Sequence, residues 1–144
     1  MKPKYKLTTL PRGTAKMPIL DIGQSNIIIK QNAEKSITPQ TLNYLSNNQV
    51  YESSGYIFTI SDVRLFSSFT GTGISTEQSK NLNSSTTNGT NVSKTVIGTT
   101  LTMKATGVNT LFGTNTALYA TLTIVGRDSG ARLQIPVIIN KSTS

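Results

Sequence analysis

The last third of the chain alternates regularly between apolar and polar positions. From 118 to 124 the apolar residues fall at even positions, with Tyr or Thr between them: Leu118, Ala120, Leu122 and Ile124. From 131 to 139 every odd position is apolar: Ala131, Leu133, Ile135, Val137 and Ile139. A period of two predicts strands with one buried face. The intervening "GRDSG" is typical of a tight turn, so the two segments predict a β-hairpin.

Pro136 lies inside the second of these predicted strands and has no N–H to donate. We therefore expect it at a sheet edge or at a position whose N side faces outward. A third alternating segment, "KTVIGTTLTMKAT", predicts one long strand with five residues on a shared face: Ile97, Thr99, Leu101, Met103 and Ala105. Strands separated by turn signals and not by helices are typical of a β-sandwich.

The segment "YIFTISDVRLF" changes the phase of its alternation halfway along. Tyr56, Phe58 and Ile60 share one parity, whereas Val63 and Leu65 have the other. A bulge or bend near Ser61–Asp62 would return both groups to one buried face, and we predict one there.

Residues 19–54 predict a strand–helix–strand cap packed on the body of 55–144. "NIIIK" is short and β-branched, which favours a strand, and "QVYES" is predicted to return as another. Between them, "ITPQTLNYLSNN" predicts a short helix with Thr38 as N-cap and Pro39 at the first helical position. Leu42 and Leu45 would then face the same side of that helix.

Two further segments lack a regular pattern. Residues 1–18 contain three prolines, which predicts an extended N-terminal arm without a helix. In 67–93, twenty of 27 residues are Ser, Thr, Asn or Gly, so little apolar surface is available for burial. We predict that 67–93 is an exposed excursion of the sandwich, ordered mainly by contacts with other chains.

Composition narrows the chemistry that the chain could carry. There is no Cys and no His among the 144 residues, which excludes a disulfide scaffold, a cysteine nucleophile, a Ser–His–Asp triad and thiolate or imidazole metal sites. The six acidic residues form no local pair: Asp21, Glu34, Glu52, Asp62, Glu77 and Asp128. We therefore predict that the protein is not an enzyme and needs no cofactor or metal. No apolar run approaches 18 residues, so we expect no membrane span.

The positive charge is concentrated at the N-terminus. The formal net charge is +8, and Lys and Arg in the first 16 residues supply +5 of it without any acid. We predict that the arm binds a partner through basic, aromatic and aliphatic side chains: Lys2, Lys4, Tyr5, Lys6, Leu7, Leu10, Arg12 and Lys16. The partner expected first is a neighbouring protein subunit. Weak nucleic-acid contact is the alternative, because lysines neutralise phosphates and Tyr5 could stack on a base.

A carbohydrate-binding or adhesion module is the other alternative. Hydroxyl and amide side chains suit hydrogen bonding to sugars, although the chain has only nine aromatic residues and no Trp to act as stacking platforms.

The basic arm, the pieces "SITPQTLNYLSNNQVYES" and "ALYATLTIVGRDSGARLQIPVII", and the Ser/Thr/Asn-rich loops together resemble virion structural proteins of tailed bacteriophages. Auxiliary or decoration proteins of the capsid, with Ig-like domains, are the nearest comparison. The resemblance implies an Ig-like antiparallel β-sandwich with an extended arm and one short helix. It also implies a protein that binds other virion proteins or copies of itself, and that assembles in the cytoplasm of a bacterial host. It carries no active site over to this chain.

Overall fold

A computed structural model describes residues 18–73, 94–105 and 109–142 of the chain. In these ranges the chain forms ten strands: β1 (Pro18–Asp21), β2 (Ile27–Lys30), β3 (Glu34–Ile37), β4 (Gln40–Asn43), β5 (Tyr56–Ile60), β6 (Ser68–Thr72), β7 (Lys94–Gly98), β8 (Thr100–Lys104), β9 (Ala117–Gly126) and β10 (Arg132–Asn140). The helical elements of the same ranges are one turn of α-helix, α1 (Asn109–Phe112), and a 3₁₀ turn at Val63–Leu65.

The strands are arranged in three sheets. The largest has the order β2-β10-β9-β5-β7, a second has the order β3-β8-β6, and β1 pairs with β4. Alternate residues of the two larger sheets are buried in one common hydrophobic core, with Phe58 and Leu122 from the first and Phe69 and Met103 from the second. The prediction of a mainly β chain folded as a sandwich is confirmed. One pairing departs from the antiparallel expectation, because β2 and β10 run parallel.

The predicted hairpin of 117–139 is present as β9 and β10. The strands pair antiparallel from Ala117–Asn140 to Val125–Arg132, and the even positions of β9 and odd positions of β10 face the core as expected. Pro136 pairs with Thr121 on β9, while β2 begins to pair with β10 only at Val137. The proline therefore lies where β2 does not extend along its other side, in agreement with the edge position expected for it.

The phase change after β5 is also confirmed, as a bend. The Asp62 side chain caps the 3₁₀ turn by accepting a hydrogen bond from the Arg64 backbone N–H. This turn reverses the parity, so Val63 and Leu65 are buried together with Phe58 and Ile60.

The prediction of a helix over 38–48 is wrong. Gln40–Asn43 forms strand β4, which pairs along its whole length with Pro18–Asp21. The Asn43 side chain then accepts hydrogen bonds from the backbone N–H groups of Leu45 and Ser46, which closes a turn. Asn side chains that bind neighbouring backbone groups in this way compete with helix formation. The returning segment 49–53 is joined to β4 by one bridge, between Gln49 and Leu42, and forms no strand.

The segment 19–54 also differs from the predicted cap in its connections. Its strand β2 belongs to the five-stranded sheet and its strand β3 to the three-stranded sheet, so both sheets contain strands from before and after residue 55. The single long strand predicted for 94–106 is wrong as well. It is divided at Thr99 into β7 and β8, which belong to different sheets, and Val96 replaces Ile97 as the side chain in the common core.

The predicted excursion 67–93 begins too early. Ser68–Thr72 is strand β6, which pairs with β8 and buries Phe69 in the core. The remainder of that prediction, 74–93, lies outside the described residues. So does the predicted arm, apart from Pro18, which begins β1.

Candidate functional site

A groove lies where the chain passes between the sheets, beside the segment that returns from β4 to β5. Its volume is about 430 Å³, and its walls come from the β3–β4 connection, the returning segment, β5 and the turn between β7 and β8: Thr38, Pro39, Gln49, Val50, Tyr51, Glu52, Ser53, Tyr56 and Thr99. Small-molecule pockets commonly have volumes of about 300–1,000 Å³. The groove is therefore large enough to hold part of a ligand chain.

Tyr51 and Gln49 place an exposed aromatic ring and an exposed side-chain amide in the walls of this groove. The Tyr51 side chain is 79% exposed although it is aromatic, so one face of its ring is open to a partner. Gln49 is also exposed, and its side-chain amide makes no hydrogen bond within the described part of the chain. An amide of this kind offers two donors and an acceptor to a ligand.

The floor of the groove is fixed by the buried carboxylate of Glu52. One Glu52 oxygen accepts hydrogen bonds from the backbone N–H groups of Asp128 (2.8 Å) and Ser129 (3.0 Å). The other oxygen accepts one from the Ser129 hydroxyl at 2.5 Å. Gly126 makes room for this carboxylate, because a Cβ there would lie 2.3 Å from Glu52 Oε2. Glu52 thus binds the β9–β10 turn to the returning segment.

Asp128 makes the reciprocal connection. Its carboxylate accepts hydrogen bonds from the Ser53 hydroxyl and the Ser54 backbone N–H, both at 3.1 Å. The Ser54 bond is the main reason that the pKa of Asp128 lies below its ordinary value. Each of the two segments therefore holds the other through a carboxylate, an arrangement that we call the carboxylate clasp. Asp128 lies in the turn between β9 and β10, whereas Glu52 is buried.

Tyr56 forms the inner wall of the groove. Its hydroxyl group is hydrogen-bonded to the buried Thr41 hydroxyl at 3.0 Å. Burial raises the pKa of Tyr56, because the phenolate is poorly solvated there, and the bond to Thr41 offsets part of this rise. This pair joins β4 to β5.

The outer surface of the three-stranded sheet, next to the groove, carries rows of hydroxyl groups. In one row Ser36, Thr102 and Thr70 are aligned across β3, β8 and β6, and the first two are hydrogen-bonded at 2.9 Å. In the next row Thr38 is hydrogen-bonded to Thr100 at 3.0 Å, and Thr100 pairs with Thr72. We call these six side chains the hydroxyl face. Thr38 belongs both to this face and to the groove.

The outer surface of the five-stranded sheet carries an apolar row instead. Ile28, Ile138 and Tyr119 are directly aligned across β2, β10 and β9. Ile28 is 52% exposed and Tyr119 is 70% exposed, with the partly buried Ile138 between them. Three aligned apolar side chains therefore lie on a solvent-facing surface of this sheet. We call this patch the apolar row.

Neither the hydroxyl face nor the apolar row was predicted from the sequence, although the sequence contains two signals for the apolar row. "NIIIK" has three consecutive isoleucines, so a strand there must place one of them, Ile28, on the polar side. Tyr119 likewise occupies a polar position of an alternating strand. Tyr51 could not be recognised because the segment around it was predicted as a strand. All eight predicted arm residues lie outside the described ranges, so their placement stays a prediction.

The described residues contain neither a cluster of metal-ligating side chains nor a helix that could span a membrane. In 18–73, 94–105 and 109–142, no group of three or more acidic side chains is placed to hold a metal ion. None of the helices in the same ranges is long and apolar enough to cross a membrane. Asp62 is paired with Arg64 at 2.6 Å, and its hydrogen bond to the guanidinium raises the pKa of the arginine.

The comparisons with known proteins bear on the fold alone. No protein-family model and no curated protein matches the chain. The structure is similar to the crystal structure of domains 4 and 5 of the S-layer protein SbsC, with a TM-score of 0.43 and 12% sequence identity. The similarity covers 85% of this chain and 53% of that one, so the chain spans about half the length of the S-layer structure. A similarity of this degree is too low to carry a function from one protein to the other.

Proposed function

We propose that the protein is a structural component of a phage particle, an auxiliary capsid or head-associated protein that binds neighbouring subunits. The observation that carries this proposal is the apolar row of Ile28, Ile138 and Tyr119 on the outer surface of the five-stranded sheet. Burying this row against another subunit would remove apolar surface from water, which favours association by about 25 cal/mol per Å² of apolar area. The phage assignment is supported by the resemblance of the arm and the quoted segments to virion proteins.

The basic arm supplies a second contact in this proposal. Strand β1 begins at Pro18, and the 17 residues before it span at most about 3.3–3.6 Å each when extended, enough to reach a neighbouring subunit. Leu7 and Leu10 would occupy apolar pockets of that subunit, and the lysines would lie against acidic surface. Binding to packaged nucleic acid is the competing role of the arm, favoured by its five positive charges.

The apolar row is tested by sedimentation velocity on the whole chain over a wide range of protein concentration. We expect concentration-dependent association that is lost in Tyr119→Thr and in Ile28→Thr. Tyr44→Thr is the matched control, because Tyr44 is 58% exposed but lies in the turn after β4. Association that is unchanged in both row variants, while they remain folded by circular dichroism, would contradict the proposed interface.

The phage assignment and the role of the arm need separate measurements. Mass spectrometry of gradient-purified phage particles should detect the chain, and its absence from particles would overturn the assignment. A variant lacking residues 1–17 should lose its place in the particle if the arm binds a subunit. If that variant assembles normally and only retention of nucleic acid falls, the arm binds nucleic acid instead.

A further inference from the structure

We propose that the groove beside Tyr51 binds a neutral glycan chain, and that the hydroxyl face extends this site beyond the groove. The inference is independent of the apolar row, which lies on the other sheet. The class of ligand follows from the side chains that line the groove and from the hydrogen bonds that fix their positions.

The groove combines an aromatic platform with short polar groups. The exposed Tyr51 ring can cover the apolar C–H face of a sugar ring, while its hydroxyl group remains in water. The Gln49 amide and the hydroxyl groups of Thr38 and Thr99 lie in the walls of the same groove. The Thr99 hydroxyl already donates to the Thr72 carbonyl and the Thr38 hydroxyl is bonded to Thr100, so both oxygens remain available as acceptors, while the Gln49 amide offers two donors and an acceptor to sugar hydroxyls.

The charges near the groove favour an uncharged ligand. Of the described residues that line it, none is Lys or Arg, so a sulfated or uronic chain would lack a counter-ion there. The one charged lining residue, Glu52, has both of its carboxylate oxygens already bound to the β9–β10 turn. A phosphate or nucleic-acid ligand is disfavoured for the same reason.

The site is held in place before any ligand arrives. The carboxylate clasp fixes the returning segment directly after Tyr51, and the Tyr56–Thr41 bond fixes Tyr56 in the wall of the same groove. A ligand that binds a fixed site loses less free energy to ordering of the protein. The exposed position of an aromatic ring on such a fixed segment is the feature that points to a binding role.

The hydroxyl face adjoins the groove at Thr38 and, like the groove walls, carries hydroxyl groups. Thr38 lines the groove and is hydrogen-bonded to Thr100, and the second row, led by Ser36 and Thr102, follows two residues farther along the strands. Adjacent strands are about 4.7–4.9 Å apart, so the hydroxyl groups recur at a spacing close to the size of a sugar ring. A chain of several sugar units, and not a single monosaccharide, is therefore the expected ligand.

The test is NMR titration of the whole ¹⁵N-labelled chain with three neutral oligosaccharides: chitohexaose, cellohexaose and maltohexaose. With at least one of them, we expect chemical-shift changes centred on Thr38, Gln49–Ser53 and Thr99. A heparin-derived hexasaccharide should leave these signals unchanged, because it is anionic. Shifts that fail to appear with all three neutral chains, or that centre elsewhere, would overturn the proposal.

Variants separate stacking on Tyr51 from general surface contact. Tyr51→Ala should weaken the affinity about tenfold, which corresponds to about 1.4 kcal/mol, whereas Tyr51→Phe should retain most of it. Tyr44→Ala, which removes an exposed tyrosine from the turn after β4, should bind like the unchanged protein. Equal binding by Tyr51→Ala and the unchanged protein would contradict the assignment of the ring as a platform.

A peptide is the rival ligand for an aromatic groove. The arm is the peptide to test, since it contains Pro3 and Pro11 and could come from another copy of the chain. A synthetic peptide of residues 1–17 is titrated under the same conditions. If this peptide shifts the groove signals and the three oligosaccharides do not, the groove is a protein-docking site and the glycan proposal is wrong.

Discussion

Gly98, the last residue of β7, lies directly against Gly71 of β6, so closely that Gly98 has no room for a side chain and Gly71 has little. A Cβ on Gly98 would lie 2.6 Å from the Gly71 carbonyl carbon, and a Cβ on Gly71 would lie 3.1 Å from the Ile97 oxygen. Here the chain leaves the five-stranded sheet and enters the three-stranded one. Thr99 fixes the crossing by donating its backbone N–H and its hydroxyl to the Thr72 carbonyl.

Gly98→Ala is therefore expected to destabilise the fold by about 1–3 kcal/mol, because backbone and not a flexible side chain would have to move. Urea denaturation of the two proteins measures the difference. Gly113→Asn is the control, since Gly113 has a left-handed φ of 56° with open space around it, and Asn tolerates that conformation. An equal loss in both variants would argue against the close approach as the cause.

Glu52→Gln should cost about 2–3 kcal/mol of unfolding free energy. The side-chain NH2 group that replaces one carboxylate oxygen donates and cannot accept hydrogen bonds, so a donor at Asp128 or Ser129 loses its buried partner. Glu34→Gln is the matched control, because Glu34 is an exposed acid on β3, and it should change stability by less than about 0.5 kcal/mol. Chemical denaturation at neutral pH compares the two, and similar values would contradict the role of the carboxylate clasp.

The lowered pKa of Asp128 predicts how stability depends on acid. The unfolded chain, in which this carboxyl has its ordinary pKa of 3.8, takes up the proton more readily than the folded chain. The contribution of Asp128 is therefore present above that pH and is lost as the pH falls through the lower folded-state pKa. Denaturation curves recorded at successive pH values below about 5 should show a smaller acid loss in Asp128→Asn than in the unchanged protein. If Asp128→Asn and the unchanged protein lost the same amount of stability as the pH fell, the stabilising role of the Asp128 carboxylate would be contradicted.

The strength of the Tyr56–Thr41 hydrogen bond can be measured with a double-mutant cycle. Thr41→Val should cost about 1–3 kcal/mol, because it leaves the buried Tyr56 hydroxyl without its partner, and adding Tyr56→Phe should recover part of that loss. Strictly additive losses in the double variant would show that the two hydroxyls do not interact.

The raised pKa of Tyr56 also predicts how the stability of the fold depends on pH in alkaline solution. Because the unfolded tyrosine, with its ordinary pKa of 10.0, ionises first, the stability contributed by this group is complete below pH 10.0 and is lost as the pH rises through the folded value. Tyr56→Phe should reduce that alkaline loss, and Tyr44→Phe, at an exposed position, should not. Denaturation at successive pH values above neutrality makes the comparison.

The parts of the fold that sequence predicts are those decided by local pattern. The β9–β10 hairpin follows from alternation and a turn sequence, and the bend at Asp62 follows from a change of phase between Ile60 and Val63. Both depend on residues that are neighbours in the chain, so the sequence contains the necessary information.

The elements that the sequence does not predict depend on contacts between residues that lie far apart in the chain. Gln40–Asn43 is a strand because Pro18–Asp21 lies beside it and because Thr41 finds a buried partner in Tyr56. The division of 94–104 at Thr99 depends on contact with Thr72, 27 residues away in sequence. The candidate groove is equally non-local, since Glu52 is placed by a turn 76 residues later. Local propensity carries no record of such contacts.

The parallel pairing of β2 with β10 determines how this domain responds to mechanical load. If it is pulled from Asn26 at one end and Lys141 at the other, the two strands slide past each other along their length. The bonds of all four residue pairs, from Ile27–Val137 to Lys30–Asn140, then bear the force together. Pulling between Ala117 and Asn140 would instead open the β9–β10 hairpin one pair at a time. Tension applied between β2 and β10 in this way therefore loads the five-stranded sheet in its more resistant direction.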